Sequence, residues 1–260
     1  MNNSLKDLWL VALALLQIVL LVLVFSGELS LGQNVVVAVA SVLLIGTNFQ
    51  CVSHNFLHLP FFRSKLLNDG FSIMNSICLG LPQSLYREHH LNHHRYNNDP
   101  EKDESSLYKF GTEGKEEGVL RYSFLGVFRT SLGVLFSRAL KQNRRLVLLE
   151  LAALLIVFSL MLQLNPLLFL GWYLPVWYLG QVFALLENYG EHHGAALNDR
   201  KRDSVSCYNP VYNFLWFNNG YHQEHHYRPL VHWTQVPTVT AELPEDRKVV
   251  PYCHLANLLN

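Results

Sequence analysis

Residues 35–58 read VVVAVASVLLIGTNFQCVSHNFLH, an apolar run from Val35 to Val52 followed at once by two histidines four apart, His54 and His58. Such a run approaches the ~20 residues a helix needs to cross a bilayer. Residues four apart share one helical face, so the chain leaves the apolar layer presenting two imidazoles side by side.

Working outward, Leu8 to Phe25 is a second apolar run, with Gln17 its one strongly polar interruption, and the short link Ser26 to Asn34 makes the pair a helical hairpin. It is read as a span and not a cleaved leader, because it lacks a small-residue cleavage pattern and another span follows directly. Leu146 to Met161 and Leu167 to Leu186 form a second hairpin, joined through Gln163, Asn165 and Pro166, where Pro166 suits the first turn of the later helix. Phe71 to Tyr86, broken by Gly80 and Pro82, is expected to be re-entrant or interfacial. Tyr122 to Leu140, with Arg129 and Arg138, is expected to be one amphipathic interfacial helix. If both crossed, the count would rise from four spans to six. Asp99 to Gly118 reads as a charged loop.

Composition agrees with a membrane setting. Half of the 260 residues are hydrophobic and 15% are charged, against roughly 25% in soluble domains. Twenty Lys plus Arg balance twenty Asp plus Glu, which indicates neither a basic nucleic-acid domain nor an acidic tail. Lys6, thirteen basic residues from Arg63 to Arg145 and six from Arg200 to Lys248 account for all twenty. The positive-inside rule then puts both termini and the middle segment in the cytoplasm. The expected fold is all-α: an integral membrane helical bundle of about four transmembrane helices in two hairpins with a cytoplasmic histidine-rich cap, residues 1–260 forming a single domain.

Eleven of the thirteen histidines fall in four clusters, all on the basic side: His54 and His58; His89, His90, His93 and His94; His192 and His193; His222, His225 and His226. His232 and His254 stand alone and read as ordinary polar partners. Burying so many imidazoles near lipid without ligation would be costly. Their number suits two metal ions. Iron accepts imidazole and oxygen ligands, whereas zinc is satisfied by four. Cys51, Cys78, Cys207 and Cys253 show neither close pairing nor a CxxC, so no disulfide framework or thiolate site is expected.

The boxes His54-xxx-His58, His90-xx-His93-His94 and His222-xx-His225-His226 resemble those of the integral-membrane fatty acid desaturase and hydroxylase superfamily. Read from Glu88-His89, the second box is similar to the alkane monooxygenase branch, as is Asn188-Tyr-Gly-Glu-His192-His193. Read from His90 it has the desaturase spacing, and Asn188-xxx-His192 is similar to the desaturase element whose Asn holds a metal-bound water. The resemblance runs from the second span to about Pro237.

It implies a nonhaem centre of two iron ions with dioxygen as co-substrate, and electrons from a separate donor such as ferredoxin, rubredoxin or cytochrome b5 with its reductase. The implied metal ligands are His54, His58, His89, His93, His94, His192, His222, His225 and His226, with His90 an alternative to His89. Asn188 would act through water, and Glu88, Glu191 and Glu224 would orient neighbouring imidazoles. The implied reaction is desaturation of an acyl lipid or fatty acid. The rival is hydroxylation of an alkane-like, lipid or carotenoid substrate, and a nonenzymatic membrane metal carrier is the alternative of a different class. Arg87, Arg95 and Arg228 are candidates for a substrate head group, and Lys109, Lys115 and Arg200 to Arg202 for an acidic electron carrier.

Overall fold

The computed structural model describes residues 1–259. Among them all regular elements are helical, and the one β-type pairing is an isolated parallel bridge between Ser206 and Val249. The helices are α1 (Asp7–Phe25), α2 (Leu31–His58), α3 (Lys65–Leu79), α4 (Gln83–Tyr96), α5 (Val119–Arg129), α6 (Leu132–Leu164), α7 (Pro166–His192), α8 (Pro210–Leu215) and α9 (His222–Tyr227). Four of them, α1, α2, α6 and α7, are long and apolar enough to cross a membrane. These contain the four apolar runs expected to span. The chain divides into two compact units, Met1–Glu88 with Ser131–Ala184, and His89–Thr130 with the residues from Leu185 onward.

In the first unit α1 packs on α2 and α3, and α3 lies along α6. Lipid-like solvent offers little hydrophobic drive between helices, so close backbone approach at small residues does the work. Gly46 and Gly180 supply it. A Cβ on Gly46 would stand 2.2 Å from Phe183 Cδ1, and one on Gly180 2.5 Å from Ile45 Cβ. Ile45, Phe49, Leu79 and Val176 form the core there.

The same unit buries a network of amides and hydroxyls. Asn48 and Ser53 flank a π-helical segment of α2, Asn48–Ser53. The wider π turn brings residues five apart onto one side, and Ser53 Oγ donates to Asn48 Oδ1 at 2.8 Å. Asn75 Nδ2 donates to Ser53 Oγ at 2.7 Å and Gln83 Oε1 at 3.0 Å, while Gln17 Nε2 donates to the Cys78 carbonyl at 2.6 Å. Glu150, inside α6, is fully buried and accepts from Ser72 Oγ, Ser84 Oγ and the Ser84 amide at 2.6 to 3.1 Å. Satisfying these groups inside the bundle ties α1, α2, α3 and α6 to the start of α4.

The segment expected as one interfacial helix, Tyr122 to Leu140, is two. Thr130 is extended (φ −65°, ψ 131°), which ends α5, and the remainder opens the 33-residue α6. A second break lies inside α6 at Asn143 (φ −153°, ψ 80°), whose Oδ1 accepts from the Leu146 amide at 3.2 Å as an internal cap. Phe71 to Tyr86 is broken as expected: α3 stops at Gly80 in the left-handed region (φ 67°), where a Cβ would meet Trp177 Nε1 at 2.2 Å.

In the second unit Leu107, Tyr122 and Tyr189 form one core, and Val205, Cys207, Tyr212 and Val250 another. Asp99 to Gly118 has no regular helix, yet Asp103, Ser105, Ser106, Leu107 and Glu117 within it are buried. It is a folded loop with a definite interior.

Candidate metal centre

In the second unit His93, His192, His222 and His226 converge, all between 1% and 4% exposed, with ligand atoms within 4.8 Å of one another. His93 comes from α4, His192 from the last turn of α7, and His222 and His226 lie four apart on α9. His93 Nε2 stands 3.0 Å from His192 Nε2, which is 3.1 Å from His222 Nε2.

The far nitrogens decide what these contacts mean. His93 Nδ1 faces Asp103 Oδ2 at 2.9 Å, and His192 Nδ1 faces the Asp203 carbonyl at 3.3 Å. Carboxylate and carbonyl oxygens accept, so each Nδ1 carries the hydrogen, and in the neutral ring each Nε2 presents a lone pair. Two lone pairs at 3.0 Å repel unless something positive lies between them. A proton on His93 answers this in part: burial lowers its affinity for a proton, but the Asp103 charge and hydrogen bond outweigh burial and hold its pKa above the ordinary value. Burial and the surrounding imidazoles push His222 well below it. Four convergent imidazoles, two anchored through their far nitrogens, have the donor chemistry of a metal site.

A further imidazole group adjoins the first. His94 Nε2 lies 2.8 Å from His90 Nε2 and 3.0 Å from His225 Nε2, and the His94 and His226 rings are 4.4 Å apart. His90, His93 and His94 take the i, i+3, i+4 positions of α4, and thus one face. His89 falls in neither group. In the first unit, His54 and His58 pair as expected from their spacing, ring centroids 5.3 Å apart.

Hydrogen bonds fix the supporting elements. Glu224 is fully buried and accepts from Ser206 Oγ at 2.7 Å, Tyr208 Oη at 2.6 Å and Thr240 Oγ1 at 2.9 Å. This anchors the helix carrying His222, His225 and His226. Gln223, beside it, accepts from the Ser204 amide at 2.8 Å and donates to Asp203 Oδ1 at 3.2 Å, steadying the loop whose carbonyl holds His192. Glu191 accepts from Asn219 Nδ2 at 2.6 Å, and its Oε2 lies 3.6 Å from His222 Nε2. Asn188 Nδ2 donates to Tyr122 Oη at 2.7 Å. Glu88 pairs with Arg87 at 3.1 Å. His193 stacks on Tyr189 and bonds Glu116, outside both groups. Lys109 pairs with Glu104, Arg202 with Asp199 and Asp246, and Arg228 with Glu242.

Sequence reasoning missed Asp103 and the Asp203 backbone. A buried Asp ten residues after His93, in a loop of charged residues, has no spacing signature. His254, expected as an ordinary polar partner, does hydrogen-bond Tyr212 and the Val205 carbonyl, and it is fully buried beside Glu187 and Glu191.

Four apolar spans and adjoining clusters of buried imidazoles define an integral membrane protein with histidine groups able to hold metal. Comparison with known proteins places it more closely. Residues 30–256 match the fatty acid desaturase family, and the chain belongs to it. It is 30% identical over 219 residues to the sphingolipid delta(4)-desaturase DES1 of Drosophila melanogaster, an alignment covering 77% of this chain and 62% of that protein. The chain thus spans less than two thirds of the length of that curated relative.

Proposed function

We propose that this chain is an oxygen-dependent oxidoreductase that desaturates a long-chain membrane lipid, using two irons. The observation that carries the reading is the paired imidazole groups, above all the His93 and His192 Nε2 atoms facing each other at 3.0 Å with both far nitrogens committed. Family membership favours iron among the metals that imidazole suits. His93, His192, His222 and His226 would hold one ion. His90, His94 and His225 belong to the ligand set of the other, to which the first box, His54 and His58, is assigned by its resemblance to the family motif.

When bound, two irons supply the redox chemistry by which dioxygen and two external electrons remove hydrogen from an unactivated carbon. The chain's own residues set geometry. Asp103 and the Asp203 carbonyl fix which nitrogen of His93 and His192 faces inward, and Glu224 holds α9 in place. Glu191 and Asn188 are positioning residues near His222 and Tyr122. Desaturation is favoured over hydroxylation by the family and by the fly sphingolipid desaturase, so a sphingolipid base is the first substrate to try. Electrons would come from a separate carrier, and the basic side bearing the histidines would face the cytoplasm.

The test is detergent-purified protein, loaded anaerobically with iron and supplied with an electron donor, dioxygen and either a ceramide or an acyl-lipid extract. Loss of two hydrogens from the lipid, dependent on iron and oxygen, is the expected result. Gain of an oxygen atom would make it a hydroxylase. Zinc retention with no iron uptake and no product would overturn the reading.

A further inference from the structure

We propose that Glu187, Glu191 and His254 form a binding site for a further divalent cation, in addition to the imidazole groups. Glu187 and Glu191 are four apart on α7 and share a face. They are 2% and 0% exposed, His254 is 0% exposed, and one ligand atom from each lies within 4.8 Å of the others.

Acceptor atoms there outnumber the donors directed at them. His254 Nε2 lies 3.1 Å from the Val205 carbonyl, which only accepts, so that nitrogen carries a hydrogen and Nδ1 is turned inward, 3.5 Å from Glu191 Oε1. The Tyr212 hydroxyl lies 3.1 Å from Glu187 Oε2 and 3.1 Å from His254 Nδ1, with one hydrogen for two acceptors. Glu191 Oε1 is satisfied by Asn219, whereas Oε2 is buried with no hydrogen bond and has only the longer 3.6 Å contact with His222 Nε2. Among the described residues no lysine or arginine bonds either carboxylate. Keeping both buried carboxylates ionised needs more positive charge than one imidazole can carry. A divalent cation removes the deficit. Two carboxylate oxygens and an imidazole nitrogen, with the Tyr212 oxygen beside them, suit a first-row ion such as manganese, iron or zinc.

The ligands are also held in place. Gly190 lets the C-terminal segment approach so closely that a Cβ would stand 2.4 Å from the His254 carbonyl oxygen. Asn257 Nδ2 donates to the Gly190 and His193 carbonyls at 2.8 and 3.0 Å, locking that segment on the end of α7.

The experiment uses the iron-loaded full chain, incubated with Mn2+, desalted and assayed for total metals, with the electron paramagnetic resonance of bound Mn2+ as the second readout. About one further equivalent of Mn2+ is expected with no loss of iron, and its affinity should fall at least tenfold in Glu187→Gln and in His254→Ala. No retained Mn2+, Mn2+ gained only as iron is lost, or unchanged binding in both variants would overturn the proposal. If His254→Ala also loses iron, the isosteric Glu187→Gln decides alone: iron kept with Mn2+ lost supports the site, and Mn2+ kept rejects it. Lipid turnover plays no part in these readouts, so failure here is separate from failure of the desaturase reading.

Discussion

Asp103 Oδ2 accepts a hydrogen bond from His93 Nδ1 at 2.9 Å, from within a loop whose charged composition suggests open solvent. The same carboxylate accepts from the Asn98 amide, the Ser105 amide and the Ser105 hydroxyl. Burial alone would raise its pKa, but His93 and these donors hold it well below the usual carboxylate range. The loop is thereby folded around a carboxylate that also holds one imidazole.

Asp103→Asn keeps the shape but loses the charge. Iron affinity should fall about 10–100-fold, as when a carboxylate behind a metal-binding histidine is removed. Competition with a chelator measures it, and wild-type affinity in this variant would remove Asp103 from the centre's support.

His90 and His89 should behave differently. His90 meets His94 at 2.8 Å and His89 joins neither group. His90→Ala should cost bound iron and His89→Ala should retain it, and metal content of the two purified variants reads the difference. The reverse outcome would favour the box that begins at Glu88-His89.

Glu224→Ala would take the acceptor from three hydroxyl donors, the buried Ser206 and the half-buried Tyr208 and Thr240. A buried donor left unsatisfied costs about 1–3 kcal/mol, which applies in full to Ser206, so a drop in melting temperature and loss of iron should occur together. Glu224→Gln, which keeps an acceptor oxygen, should lose less of both.

Thiol chemistry should follow burial. Cys78 donates to the Ala14 carbonyl at 3.4 Å, and burial pushes its thiol up to about 12. Only on the order of 1 in 10,000 of it would be thiolate at pH 8, and the reactive form appears as pH rises through that value. Burial raises Cys207 as well. In folded protein a maleimide at pH 8 should label half-buried Cys253 first and leave Cys78 unmodified until denaturation, which mass spectrometry of the labelled peptides would show. Early labelling of Cys78 would contradict its packing.

How much was legible depended on range. Four spans could be read from Leu8–Phe25, Val35–Val52, Leu146–Met161 and Leu167–Leu186, because crossing lipid requires a continuous apolar run and nothing distant changes that. The boxes could be read too, since His54 and His58, or His222 and His226, meet through helical period alone. Period could not choose between His89 and His90. Both have a partner four residues on, and successive residues point about 100° apart, so the rotation of α4 set by packing decides which one faces inward. The break at Thr130 and the kink at Asn143 were hidden for a like reason: neither residue forbids a helix. Asp103 on His93, the Asp203 carbonyl on His192, and His254 beside Glu187 and Glu191 are contacts between residues far apart in turn and loop. Only the folded chain brings them together, because burial made their hydrogen bonds and charges answer to one another.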